Sequence, residues 1–226
     1  MRDLPVVFWL LATLVVALVH TWVPAPRWLL IHLTLLGAVT HSILVWSRYF
    51  TETLLRTPAD ESRAPQNRRL ALLDLGVLAV LVGVVGDWWT VTLAGGAAVL
   101  VAVAWHGASL LRALRASLAP RFGVVVRFYL AAAALLPVGI VIGVLLARIQ
   151  TDPWHERLLV AHAAVNLLGW MGLTIVGTLV TLWPTMLRTR MAEGAERAAR
   201  HALPVLATAV LVTAGGALAG PPPADR

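Results

Sequence analysis

The sequence predicts an all-α fold, a polytopic membrane bundle of about seven transmembrane helices, and three observations predict it. The 226 residues are 59% hydrophobic and 13% charged with a mean hydropathy of +0.82, beyond the apolar share of a soluble domain. The apolar residues fall into seven runs, each near the length a helix needs to cross a bilayer. The 18 basic residues are all arginine and collect in the polar segments between runs, as in a chain that faces membrane lipid; no nucleic-acid partner is expected.

The first run, Leu4 to Trp22, reads as a helix because His20-Thr-Trp-Val-Pro24 stands where a signal peptide would carry small cleavage-site residues. Pro24-Ala-Pro26 turns the chain into a second helix, from about Arg27 to Trp46, which holds His32 and His41. Ser47 to Arg69 is the longest polar segment. A third helix, Leu70 to Gly86, contains Asp74 and turns at Asp87-Trp-Trp89 into a fourth, Thr90 to Leu111, with His106 near its end. The fifth, Phe128 to Ala147, contains Pro137. The sixth lies between Arg157 and Arg190, about thirty residues that are apolar except for His162, Asn166 and a few threonines, enough to span at ~1.5 Å per residue. A seventh runs from Ala202 to Gly220. Residues 1–220 read as a single membrane domain, and 221–226 as a proline-rich, linker-like tail.

Arginine placement sets the expected orientation. The segments after helices two, four and six carry five, four and four arginines, against one, none and two after helices one, three and five. The amino terminus is therefore expected in the cytoplasm and the carboxyl terminus outside, in a multi-pass protein of the cell membrane.

An ionisable ring inside hydrocarbon is costly without a partner, so the histidines are the candidate functional residues. His32 and His162 each follow an arginine by five residues on helices that enter from the same side, which puts both in the outer third of the bilayer. Two neutral imidazoles at one depth suit the axial positions of a low-spin haem b; the other reading is a pair of buried rings hydrogen-bonded to carbonyls. With no cysteine, covalent attachment, thiolate ligation and disulfides are excluded. His20 joins the outer tier as a further candidate ligand or an interfacial side chain. His41 is nine residues after His32, about 180° round at ~100° per residue, and so outside that haem. With His106 and Asp74 it forms an inner tier, read either as a second metal or haem site between His41 and His106 or as unrelated rings. Asp74 itself is expected near the cytoplasmic interface or paired with an arginine. His155 and His201 fall in loops. Gly169, Gly172 and Gly177 recur at roughly helical spacing, a groove for a macrocycle or for another helix.

The run His162-Ala-Ala-Val-Asn166-Leu-Leu-Gly169-Trp-Met-Gly172-Leu-Thr-Ile-Val-Gly177, followed by Pro184, resembles the H-x-x-x-N-x-x-G-W-x-G-x-x-x-x-G pattern of small relatives of haem-copper oxidase subunit I. It is most similar to the membrane part at the amino terminus of some membrane-anchored multicopper oxidases and copper nitrite reductases. His32-Leu-Thr-Leu-Leu-Gly37-Ala-Val-Thr-His41 resembles the matching earlier helix. The resemblance implies helices in arcs of four, with helices two and six in equivalent places. It implies haem ligation by His32 and His162, and roles beside the haem for Asn166, Gly169 and Gly172. The chain departs from the oxidases in having no histidine pair after helix six, no His-x-x-x-Tyr pattern and no third arc, so oxygen reduction is not expected. Copper would belong to a partner or to a missing domain.

Two functions follow as expectations. The first is a haem b electron-transfer protein between a quinol or respiratory complex and an external copper protein or fused cupredoxin domain, the membrane part of an oxidoreductase. The second is a non-catalytic anchor, or a copper- or nitric oxide-responsive module, of such an enzyme.

Overall fold

A computed structural model describes residues 2–56, 63–117 and 122–220, and every described segment of regular structure is helical. Seven rods follow one another: α1 (Leu4–Leu18), α2 (Pro26–Leu55), α3 (Arg63–Val85), α4 (Trp89–Ala116), α5 (Gly123–Arg148), α6 (Trp154–Met186) and α7 (Ala195–Ala219). Five of them, α2 and α4 to α7, are long and apolar enough to cross a membrane. The chain is thus a multi-pass membrane protein. α1 is shorter, at 15 residues, and α3 carries Arg68, Arg69 and Asp74 along its 23.

The rods outrun the apolar stretches that predict them. α2 continues past Trp46 to Leu55, and α3 begins at Arg63 instead of Leu70. The polar extension of α2 carries helical pairing of its own. Arg48 Nε donates to Glu52 Oε1 at 2.7 Å, four residues on, and the Thr51 and Thr53 hydroxyls donate to carbonyls one turn back. Residues 57–62 and 118–121, and the tail 221–226, lie outside the described residues.

The helices gather into two compact units, residues 1–121 and 122–226. In the first, α2 packs against α1 on one side and α4 on the other, while α3 lies along α4. The α3–α4 turn is tight, with Asp87 at φ 55° and Trp88 N–H donating to Gly83 O at 2.7 Å. In the second unit α6 packs against both α5 and α7. Large apolar side chains stay exposed, among them Phe8, Leu11, Leu75 and Val205. Water would penalise that surface and hydrocarbon does not.

The rods that carry His32 and His162 share a feature absent from the other five described rods: each contains a π-helical stretch, Leu33–Val39 in α2 and Ala164–Gly172 in α6. A π segment bonds i→i+5, is rare, and is found mostly at functional sites. In α2 Leu35 O accepts from both the backbone N–H and the side-chain hydroxyl of Thr40, five residues on, the hydroxyl at 2.9 Å.

Candidate functional site

His32 and His162 each sit at the start of a π stretch, His32 immediately before Leu33 and His162 two residues before Ala164. Each ring is held through Nδ1 on a backbone carbonyl. His32 Nδ1 lies 2.9 Å from Trp28 O, one turn earlier, and its ring stacks on Trp28 with centroids 4.0 Å apart. His162 Nδ1 lies 2.9 Å from Gly139 O on the neighbouring α5. A neutral imidazole that donates through Nδ1 has its lone pair on Nε2, the tautomer that carbonyl partners impose on metal-ligating histidines.

α5 is shaped around the second of these rings. A Cβ on Gly143 would lie 2.7 Å from His162 Cε1, and one on Gly139 would lie 2.5 Å from Asn166 Oδ1. Both glycines are therefore required by the close approach of α6. Asn166 Nδ2 donates to His162 O at 2.7 Å and sits 3.2 Å from His162 Nδ1, so the amide braces the histidine from one turn below. Gly139 and Gly143 are missing from the residues singled out in the sequence, although their four-residue spacing in an apolar run is the mark of close helix packing.

The α6 glycines divide. A Cβ on Gly169 would meet Leu135 and Val210 at 3.0 and 3.3 Å, and one on Gly177 would meet Phe128 at 2.5 Å, so these two admit neighbouring helices of their own unit. Gly172 meets only the Leu167 carbonyl of its own π stretch.

The inner histidines take separate partners. His41 is fully buried, with Nδ1 3.0 Å from Asp74 Oδ1 and Nε2 2.9 Å from Arg2 O, so both ring nitrogens are engaged and neither faces a metal. Trp9 Nε1 donates to the same Asp74 oxygen at 3.0 Å. Asp74 is thus paired with a histidine and a tryptophan rather than an arginine. His106, also buried, has Nε2 2.8 Å from Ser47 Oγ, while its Nδ1 is buried without a hydrogen-bond partner. The half-turn separation of His41 from His32 rests on 100° per residue, a step that does not hold where seven of the intervening residues are π-helical. His20 is exposed near the end of α1, with Nδ1 3.0 Å from Ala17 O, and His155 Nδ1 lies 3.0 Å from Ile149 O. Among the described residues no three His, Asp or Glu side chains converge as a metal cage.

No family model, curated protein or solved structure matches the chain.

Proposed function

We propose that the chain is a haem b-binding electron-transfer protein in which His32 and His162 are the axial ligands. Electrons would pass between a quinol or a neighbouring respiratory complex and an external copper protein or fused cupredoxin domain. The proposal includes seven membrane spans in the cell membrane, a cytoplasmic amino terminus and an external carboxyl terminus, as arginine placement implies. It keeps the likeness to the membrane part of haem-copper oxidase relatives, without oxygen reduction.

The observation that carries this reading is the matched pair of histidines. Each follows an arginine by five residues, rests Nδ1 on a backbone carbonyl and opens a π stretch. That arrangement fits the donor set a non-covalent haem takes from a chain without cysteine. Haem, when bound, supplies one-electron chemistry. The chain's part is to hold each imidazole as the Nδ1–H tautomer, His32 through Trp28 O and His162 through Gly139 O, and to keep the ring planes fixed by Trp28 stacking and the Gly143 contact. Asn166 braces His162 and would tune the potential through that hydrogen-bonded carbonyl.

The anchor reading is favoured by one specific observation: the contacts of His162 with Gly139 and Gly143 also suit a ring used purely for packing. Paired substitutions separate the two. His32→Ala and His162→Ala should each abolish a six-coordinate low-spin spectrum, while His155→Ala and His201→Ala leave it intact. A spectrum that survives both of the first two changes would favour the anchor.

A further inference from the structure

Unit 1 contains a polar cavity of about 930 Å³ and, beside it, an apolar groove of about 420 Å³, and Asp74 and Pro5 line both. The cavity is walled at this end by His41, Arg48 and Glu52. The groove runs between α1 and α3, over Leu4, Phe8, Leu75 and Leu78, and ends on Trp9 and Asp74. Leu75 and Leu78 are 66% and 49% exposed, so the groove is open on its outer side. A polar chamber joined at one carboxylate to an open apolar groove matches an amphiphile with a small hydrogen-bonding head and a long tail.

The chemistry at the junction narrows the head. His41 Nδ1 lies on Asp74 Oδ1 and Nε2 on Arg2 O, so both ring nitrogens are already engaged and neither is open to the head. Arg2 and Arg48 stand among the carboxylates of Asp3, Glu52 and Asp74, and Arg48 pairs with Glu52, so the cavity carries both signs of charge and its lining favours neither a cationic nor an anionic head. Asp74 Oδ1 already accepts from His41 and Trp9, and its Oδ2 accepts from no described residue. What this oxygen can take is an uncharged O–H donor. The Phe8 and Trp9 rings, edge to face at 5.3 Å, line the same end and suit a flat ring.

We propose that unit 1 binds a membrane hydroquinone, its hydroxyl donating to Asp74 Oδ2 and its isoprenoid tail lying in the α1–α3 groove. The proposal narrows the electron donor named above to a quinol and rests on that reading for its purpose, while its binding chemistry involves no haem. The test uses the purified full chain in lipid nanodiscs. A decyl-tailed azidoquinone is photolysed, its adducts are mapped by mass spectrometry, and decyl-hydroquinone or decylbenzene is added as competitor. Adducts should fall within residues 2–18, 40–55 and 63–85, and the hydroquinone should protect them while decylbenzene, which lacks the hydroxyls, does not. Asp74→Asn should weaken protection about tenfold or more, the order set by one hydrogen bond to a carboxylate. Leu78→Trp fills the groove from its open side and leaves the Asp74, His41 and Trp9 side chains unsubstituted, and should weaken protection comparably even if Asp74→Asn disturbs folding. Asp87→Asn, on the α3–α4 turn, should bind as the unsubstituted chain. Adducts elsewhere, equal protection by decylbenzene, or undiminished protection in Leu78→Trp would overturn the proposal. A chain that lacks haem yet shows this pattern would sink the haem reading alone.

Discussion

At the residue scale, the account turns on how tightly His162 is seated. Gly143→Ala places a methyl group 2.7 Å from Cε1 and 3.1 Å from Nδ1 of the ring. Overpacking of this kind typically costs about 1–3 kcal/mol, so the variant should lose thermal stability and shift or lose its low-spin haem spectrum. Gly215→Ala, where a Cβ meets nothing within 4 Å, is the control that should do neither. Asn166→Leu removes the brace and keeps the ligand, and redox titration should find a displaced midpoint potential with haem loading retained. The histidines were legible in the sequence because ionisable groups are rare in apolar runs. Their partners were not. Trp28 and Gly139 contribute backbone carbonyls, which carry no residue signature, and Asp74 and His41 are joined across 33 residues that no spacing rule connects.

At the scale of elements, the π stretches are what separates α2 and α6 from the other rods. Hydropathy could not reveal them, since a run apolar on most of its faces gives the same pattern for i→i+4 and i→i+5 bonding. The limits of the seven rods were legible to within a few residues wherever lipid-length apolar runs end at arginine. They failed at α2, α3 and α7, which run into polar residues beyond the apolar run; in α2 and α7 those residues pair one turn apart, Arg48 with Glu52 and Arg200 with Glu196. A π segment arises when one residue too many is held in an α-helical path, so deleting one residue between Ala164 and Leu168 should return α6 to α geometry. Tightening the wider turns would move His162 relative to Leu173–Met186 and to its seat on α5. The variant should fold with its helix content intact by circular dichroism and should fail to retain haem. Full haem loading would show that the π stretch has no part in seating the ligand.

For the whole molecule, the multi-pass architecture follows from composition alone, because 59% apolar residues arranged in seven runs leave no soluble alternative. The gathering of the helices into two units, each with one histidine-bearing π rod, needed the structure: the Arg27–His32 and Arg157–His162 spacings hint at the parallel, but sequence spacing does not specify which helices pack. Orientation is expected from the arginine asymmetry, so a reporter fused after Arg226 should report from outside and one inserted near Arg63 from the cytoplasm; the reverse in both would overturn the expected placement of His32 and His162 in the outer third of the bilayer. The central claim is that those two residues hold a haem, and the reduced-minus-oxidised absorption spectrum of the purified chain, from cells well supplied with haem, tests it most directly. The account predicts a low-spin b-type difference spectrum, and a protein purified without haem would contradict it.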